Sequence, residues 1–201
     1  MRGARVGSLR DLRDRGSAEI HTLRGDEVPP FSEWQNLYVV VGSSAGALIG
    51  LQFVVMALIA NTSRSQDLAE AGAAFTTPTI VHFTSALGVA AILCAPWHEV
   101  VPPFFLLLAA GATGLIYSVR NALVLRRQSA YTPEPEDWAF YAVLPMATYS
   151  LLAAASGIGI LAPRATLYGV ALSAMLLLGN GIHNAWDNVT YHVFGKASAE
   201  R

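Results

Sequence analysis

Residues 34–63, WQNLYVVVGSSAGALIGLQFVVMALIANTS, run for 30 positions without an Asp, Glu, Lys or Arg. A helix rises ~1.5 Å per residue, so about 20 residues cross a hydrocarbon core ~30 Å thick. This stretch is long and apolar enough to do so. Four further windows share its character: 71–98, 100–119, 138–163 and 165–186, with 28, 20, 26 and 22 uncharged residues. Together they predict an all-α integral membrane protein, a bundle of five transmembrane helices. The spans fall at about 37–60, 78–96, 104–125, 138–160 and 165–186, with the last helix continuing to about 194. An outer-membrane barrel is excluded, because its strands alternate apolar and polar residues over ~10 positions.

The composition points the same way. Of 201 residues, 53% are hydrophobic and 13% charged, and the mean hydropathy is +0.42. Soluble domains are about 25% charged. A soluble enzyme, a nucleic-acid binder and a disulfide-stapled secreted domain all fit poorly. The net charge of −1 calls for no nucleic-acid partner. Cys94 is alone, so no disulfide forms within the chain, and it reads as a filler of the second span. Twelve Arg against one Lys suggests a GC-rich bacterial genome, and with it a bacterial inner membrane.

Residues 1–33 hold six Arg and six Asp or Glu. They have no apolar core of ~7–15 residues, so they do not read as a signal peptide. They are expected to form a polar, disordered tail ahead of the transmembrane domain, 34–201.

Gly42, Gly46 and Gly50 form a double GxxxG on the first span. Glycines at i, i+4 and i+8 make one flat stripe on which a second helix can settle closely. The partner is a helix of this chain, a second copy, or another membrane protein; the sequence leaves these open. Ala110/Gly114/Ser118 and Ala153/Gly157 repeat the small-residue spacing. Trp34 and Tyr38 are expected at headgroup level. Pro78 is expected in the first turn of the second helix, and Pro145 is expected to kink the fourth.

The most unusual chemistry lies at the end of the fifth helix, GNGIHNAWDNVTYH over residues 179–192. Asn180, His183, Asp187 and Thr190 follow a helical stripe, with Asn184, Asn188 and Tyr191 on the adjoining one. Trp186 points the other way, toward lipid. His183 and Asp187 are i and i+4, so their side chains can touch, and a carboxylate there fixes the imidazole tautomer.

Because spans alternate in direction, the start of helix two, the end of three, the start of four and the end of five share one side. That side collects His82, Tyr117, Arg120, Asn121, Tyr141, His183, Asp187 and the acids of 134–137. Ionisable groups at membrane depth are costly unless paired or wet, which makes them functional suspects. Three readings stay open. The residues are interhelical glue and an interfacial ion pair. Or His82, His183 and Asp187 bind a metal ion or relay protons, supported by Asn180, Asn184, Tyr191, Arg120 and Asn121. Or His82 and His183 ligate haem, although nothing shows their rings facing one gap. No HExxH, paired-aspartate or Ser-His signature supports hydrolysis, which weighs against an enzyme.

Positive charges give a divided orientation. With the N-terminus inside, cytoplasmic segments hold seven Arg or Lys against six outside. Counting only charges close to the spans favours the N-terminus outside, with Arg120, Arg126 and Arg127 cytoplasmic.

The stretch Trp34–Asn61 resembles the first span of small bacterial polytopic membrane proteins, some identified as modulators of the FtsH protease. The shared features are its aromatic start, its GSSAGAL run and its LQFVVMAL ending. The resemblance covers about 28 residues and implies a small inner-membrane protein with no catalytic residues to transfer. The expected role is therefore a non-enzymatic accessory or regulatory subunit acting through helix contacts at Gly42, Gly46 and Gly50. A small proton or metal-ion transporter is the alternative.

Overall fold

The computed structural model describes residues 31–62, 66–127 and 135–199, with side chains over 31–58, 77–127 and 135–190. The tail expected over 1–33 therefore lies outside the described residues up to Pro30, as do Glu134 and the side chain of Tyr191. The described residues are helical throughout, apart from short connections. After a 3-10 turn at Ser32–Trp34 come α1 (Gln35–Thr62), α2 (Gln66–Cys94) and α3 (Val101–Arg127). The fourth helix, α4 (Pro135–Gly159), and the fifth, α5 (Pro163–Ala199), complete the bundle. All five are long and apolar enough to cross a membrane. This is the architecture of a multi-pass membrane protein.

Helix α5 is central. It lies between α2 and α4, with α1 flanking α2 and α3 flanking α4. Half of its most apolar stretch is buried, against 17% for α1. The buried face of α5 runs Leu167, Val170, Ala174, Leu177, Asn180, Asn184 and Asn188, while Tyr168, Leu172, Met175, Ile182 and Trp186 face outward. From Leu167 to Leu178 the helix is thus apolar all round apart from Ser173, and it is sorted by polarity only toward its end. That is the pattern of a central membrane helix whose outer face meets lipid rather than water.

No described glycine has a positive φ, so glycine acts here through size alone. A Cβ on Gly111 of α3 would lie 2.7–3.0 Å from the backbone and Cβ of Ala153 on α4. One on Gly114 would strike the ring of Tyr149. Gly114 of the expected stripe on helix three thus packs on Tyr149 rather than on the Ala153/Gly157 stripe; Ala153 meets Gly111, outside the expected stripe, and a Cβ on Gly157 would meet only Leu108, at 4.0 Å, among the described residues.

Three expectations need correction. Pro78 does not start α2; the helix begins at Gln66 and carries Pro78 inside it. A membrane helix tolerates the lost i→i−4 bond because neighbouring groups re-satisfy the freed carbonyl. Pro145 does not stand inside an unbroken α-helix. Residues Ala139–Val143 form a π turn, and Pro145 sits in the first turn of the α-helical segment Leu144–Gly159. The wider turn absorbs the register change where proline offers no N–H. The third helix begins at Val101, with Pro102 and Pro103 inside its first turn, where their missing N–H groups have no partner to lose. Tyr38 is fully buried in the core, and its hydroxyl has no hydrogen-bond partner among the described residues. Trp34, at the same end, is set edge-on to Tyr168 at 4.7 Å.

Candidate functional site

Polar side chains inside the bundle fall into two kinds. Ser118, Thr148, Ser156 and Ser173 each donate to the carbonyl four residues back, at 2.7–2.9 Å. Their hydroxyls are satisfied within their own helix and ask nothing of a neighbour. The second kind faces across helices.

On α2 the relevant residues are Thr79, His82 and Ser85. His82 is 2% exposed, and its Nδ1 lies 3.2 Å from the hydroxyl of Tyr149 on α4. The same hydroxyl lies 2.9 Å from Ser85 Oγ. A phenol has one proton to donate, so Ser85–Tyr149–His82 can be polarised in either direction. Replacing Tyr149 with Phe is expected to cost about 0.6–1.7 kcal/mol, the range for interhelical hydrogen bonds in membranes. Reversible unfolding in mixed micelles measures it.

On α5, Asn180, Asn184 and Asn188 stand at i, i+4 and i+8, so they share one face. They are 2%, 0% and 5% exposed. Asn188 Nδ2 donates to Thr79 Oγ1 at 3.5 Å. A turn deeper, Gly181 is small enough to seat the ring of Phe83. Asn184 is bracketed between these two contacts, at the depth of His82. Neither the Oδ1 nor the Nδ2 of Asn180 or Asn184 meets a hydrogen-bonding group among the described residues. Each unpaired polar atom at such a site costs about 1–3 kcal/mol. Gln52 of α1 is 4% exposed. The Gly42–Ala90 contact sets the register of α1 on α2, and ten residues of rise place Gln52 near the level of Ile80. Polar groups from α1, α2 and α5 thus gather in one part of the interior.

His183 lies at the rim of this region. Its Nε2 is 3.3 Å from Asp187 Oδ2 and 3.6 Å from Glu136 Oε1 on α4. Its ring stacks on Phe140 in the π turn, with centroids 3.4 Å apart. The carboxylates are 38% and 65% exposed, so solvent screens the charge and the tie is weak. Glu136→Gln is expected to change stability by less than ~1 kcal/mol in the same unfolding assay.

The structure therefore divides the expected set. It brings His183, Asp187 and Glu136 together at one end, and buries His82 separately against Tyr149. Among the described residues no group of three or more His, Cys, Asp or Glu side chains is placed to hold a metal ion. Asn180 and Asn184 enter the interior. Arg120 is exposed and Asn121 half-buried at the end of α3. The glycine stripe also divides. A Cβ on Gly42 would lie 3.1 Å from the Cβ of Ala90, but one on Gly46 or Gly50 would have nothing within 4 Å among the described residues. Sequence reasoning missed Tyr149, Ser85, Thr79 and Gln52. An uncharged polar residue at mid-span was the available signal for each. No protein-family model, curated protein or solved structure matches the chain.

Proposed function

We propose that this multi-pass membrane protein is a non-enzymatic accessory or regulatory subunit that acts through helix contacts on the outward face of α1. One observation carries the reading. Among the described residues, nothing lies within 4 Å of where a Cβ on Gly46 or Gly50 would stand, on the least buried of the five helices. Ser43 and Ala47 are exposed beside them, and they extend the small surface along the helix. Lipid tails gain nothing from a flat glycine face that they would not gain elsewhere. A second helix does gain, because close backbone approach is what drives association in a bilayer.

The test is a photo-cross-linker in place of Ala47, used in native membranes. The expected result is one defined adduct that disappears in Gly46→Leu. No adduct, or one that survives the substitution, removes the reading. The membrane proposed is a bacterial inner membrane. Arg126 and Arg127, at the end of α3, favour the cytoplasm for that end and for the end of α5.

A further inference from the structure

Helix α3 leaves the hydrocarbon with its positive charges unpaired. Residues 100–119 hold no Asp, Glu, Lys or Arg, and 20 residues of helix rise about 30 Å, the thickness of the hydrocarbon core. Arg120 therefore stands at the hydrocarbon edge, with Arg126 and Arg127 beyond it. All three side chains are exposed, and among the described residues no ion pair or hydrogen bond engages any of them. Glu136 and Asp187 lie against His183 instead.

Helical geometry sorts the three arginines. Seven residues make about two turns, so Arg127 stands within ~20° of Arg120 and ~10 Å farther along the axis. Arg126 is turned away from Arg120 by ~120°. The face that carries Arg120 and Arg127 also carries Leu106, Ala109, Ile116, Leu123 and Val124, all exposed. Thr113 lies on it too, but its hydroxyl is spent on the carbonyls of Ala109 and Ala110. The face is thus an apolar track that ends in two stacked cations.

We infer that Arg120 and Arg127 hold the phosphate of an anionic glycerophospholipid, whose acyl chain lies along this track. Hydrocarbon and headgroups together measure about 40–45 Å, so each headgroup layer is ~5–7 Å deep. The phosphate plane then falls between Arg120 and Arg127, within reach of both side chains. Each guanidinium can donate to phosphate oxygens as a bidentate fork. The lipid is anionic because the two charges have no counter-ion in the protein. A zwitterionic headgroup would bring a cation of its own to the same place.

Photolabelling in proteoliposomes tests this, with a diazirine on the acyl chain of phosphatidylglycerol or of phosphatidylcholine. At equal content, the phosphatidylglycerol probe is expected to label residues 106–124 at least about fivefold more, the gain from roughly one arginine near an anionic surface. The excess should vanish in the double variant Arg120→Gln/Arg127→Gln. It should survive in Arg126→Gln, which removes a charge from the same end but off the track. Equal labelling by the two probes in the wild type overturns the proposal, as does an excess that persists in the double variant. An excess lost in Arg126→Gln alone also overturns it, because the preference would then belong to diffuse charge. Inorganic phosphate at matched ionic strength should leave the label in place. Competition by it would assign the arginines to a free phosphate and remove the lipid.

Discussion

Gly111→Leu should cost at least ~3 kcal/mol of stability, and it should do so through the backbone. A Cβ at that position would lie 2.7 Å from the amide nitrogen of Ala153 and 2.9 Å from its Cα. A flexible side chain could rotate aside, but a helix backbone cannot. The α3–α4 pair would have to separate, and other contacts of the pair would loosen with it. Next along α3, Gly114 lies under the ring of Tyr149, which is fully buried and holds Ser85 and His82. Moving α4 therefore disturbs the interior hydrogen bonds as well. A loss of this size is a large fraction of the about 5–15 kcal/mol that separates folded from unfolded states. Gly111→Ala should be milder, about 1–3 kcal/mol. Unfolding in mixed micelles gives both values. Wild-type stability for Gly111→Leu would show that α3 and α4 do not approach this closely.

Gly46→Leu should behave in the opposite way. Nothing lies within 4 Å of the Cβ that the substitution adds. Stability should stay within ~1 kcal/mol of wild type, with a small gain from leucine's better helix propensity. Association through α1 should weaken at least tenfold, because a leucine side chain holds the two backbones apart. Energy transfer between labelled chains, measured as they are diluted in lipid, reads the effect for a second copy. The Ala47 cross-link reads it for a different partner. The pair of predictions is discriminating because both substitutions put the same leucine side chain at a glycine inside an apolar helix. Only their surroundings differ. A destabilised Gly46→Leu would mean that α1 packs differently against α2 and α5.

The fold was legible before any coordinates. Five uncharged windows of about span length leave a chain few choices, since lipid demands that every backbone polar group be bonded within its own helix. The pairing of helix ends followed from alternation alone, and it correctly placed Glu136 on the same side as His183 and Asp187. The candidate site was legible only in part. The run at 179–192 announced itself because Asn, His and Asp are rare at that depth. Its partners did not. Thr79, Ser85, Gln52 and Tyr149 stand singly in apolar stretches, and nothing local separates them from Ser118 or Thr148, whose hydroxyls bond within their own helix.

The sequence by itself determined that the chain carries five helices long and apolar enough to cross a membrane, about where each lies, and that one end carries most of the polar chemistry. These follow from hydropathy and helical rise, which act along the chain. The tertiary structure decided which of two similar groups is used and which is left over. It set Gly111 against a backbone and Gly46 against nothing. It buried His82 beside Tyr149, away from the carboxylates that hold His183. It turned Asn180 and Asn184 inward without protein partners. These outcomes depend on the rotation and register of one helix against another. Rotation and register are settled by the sum of many weak packing contacts across the bundle, and no single stretch of sequence encodes them.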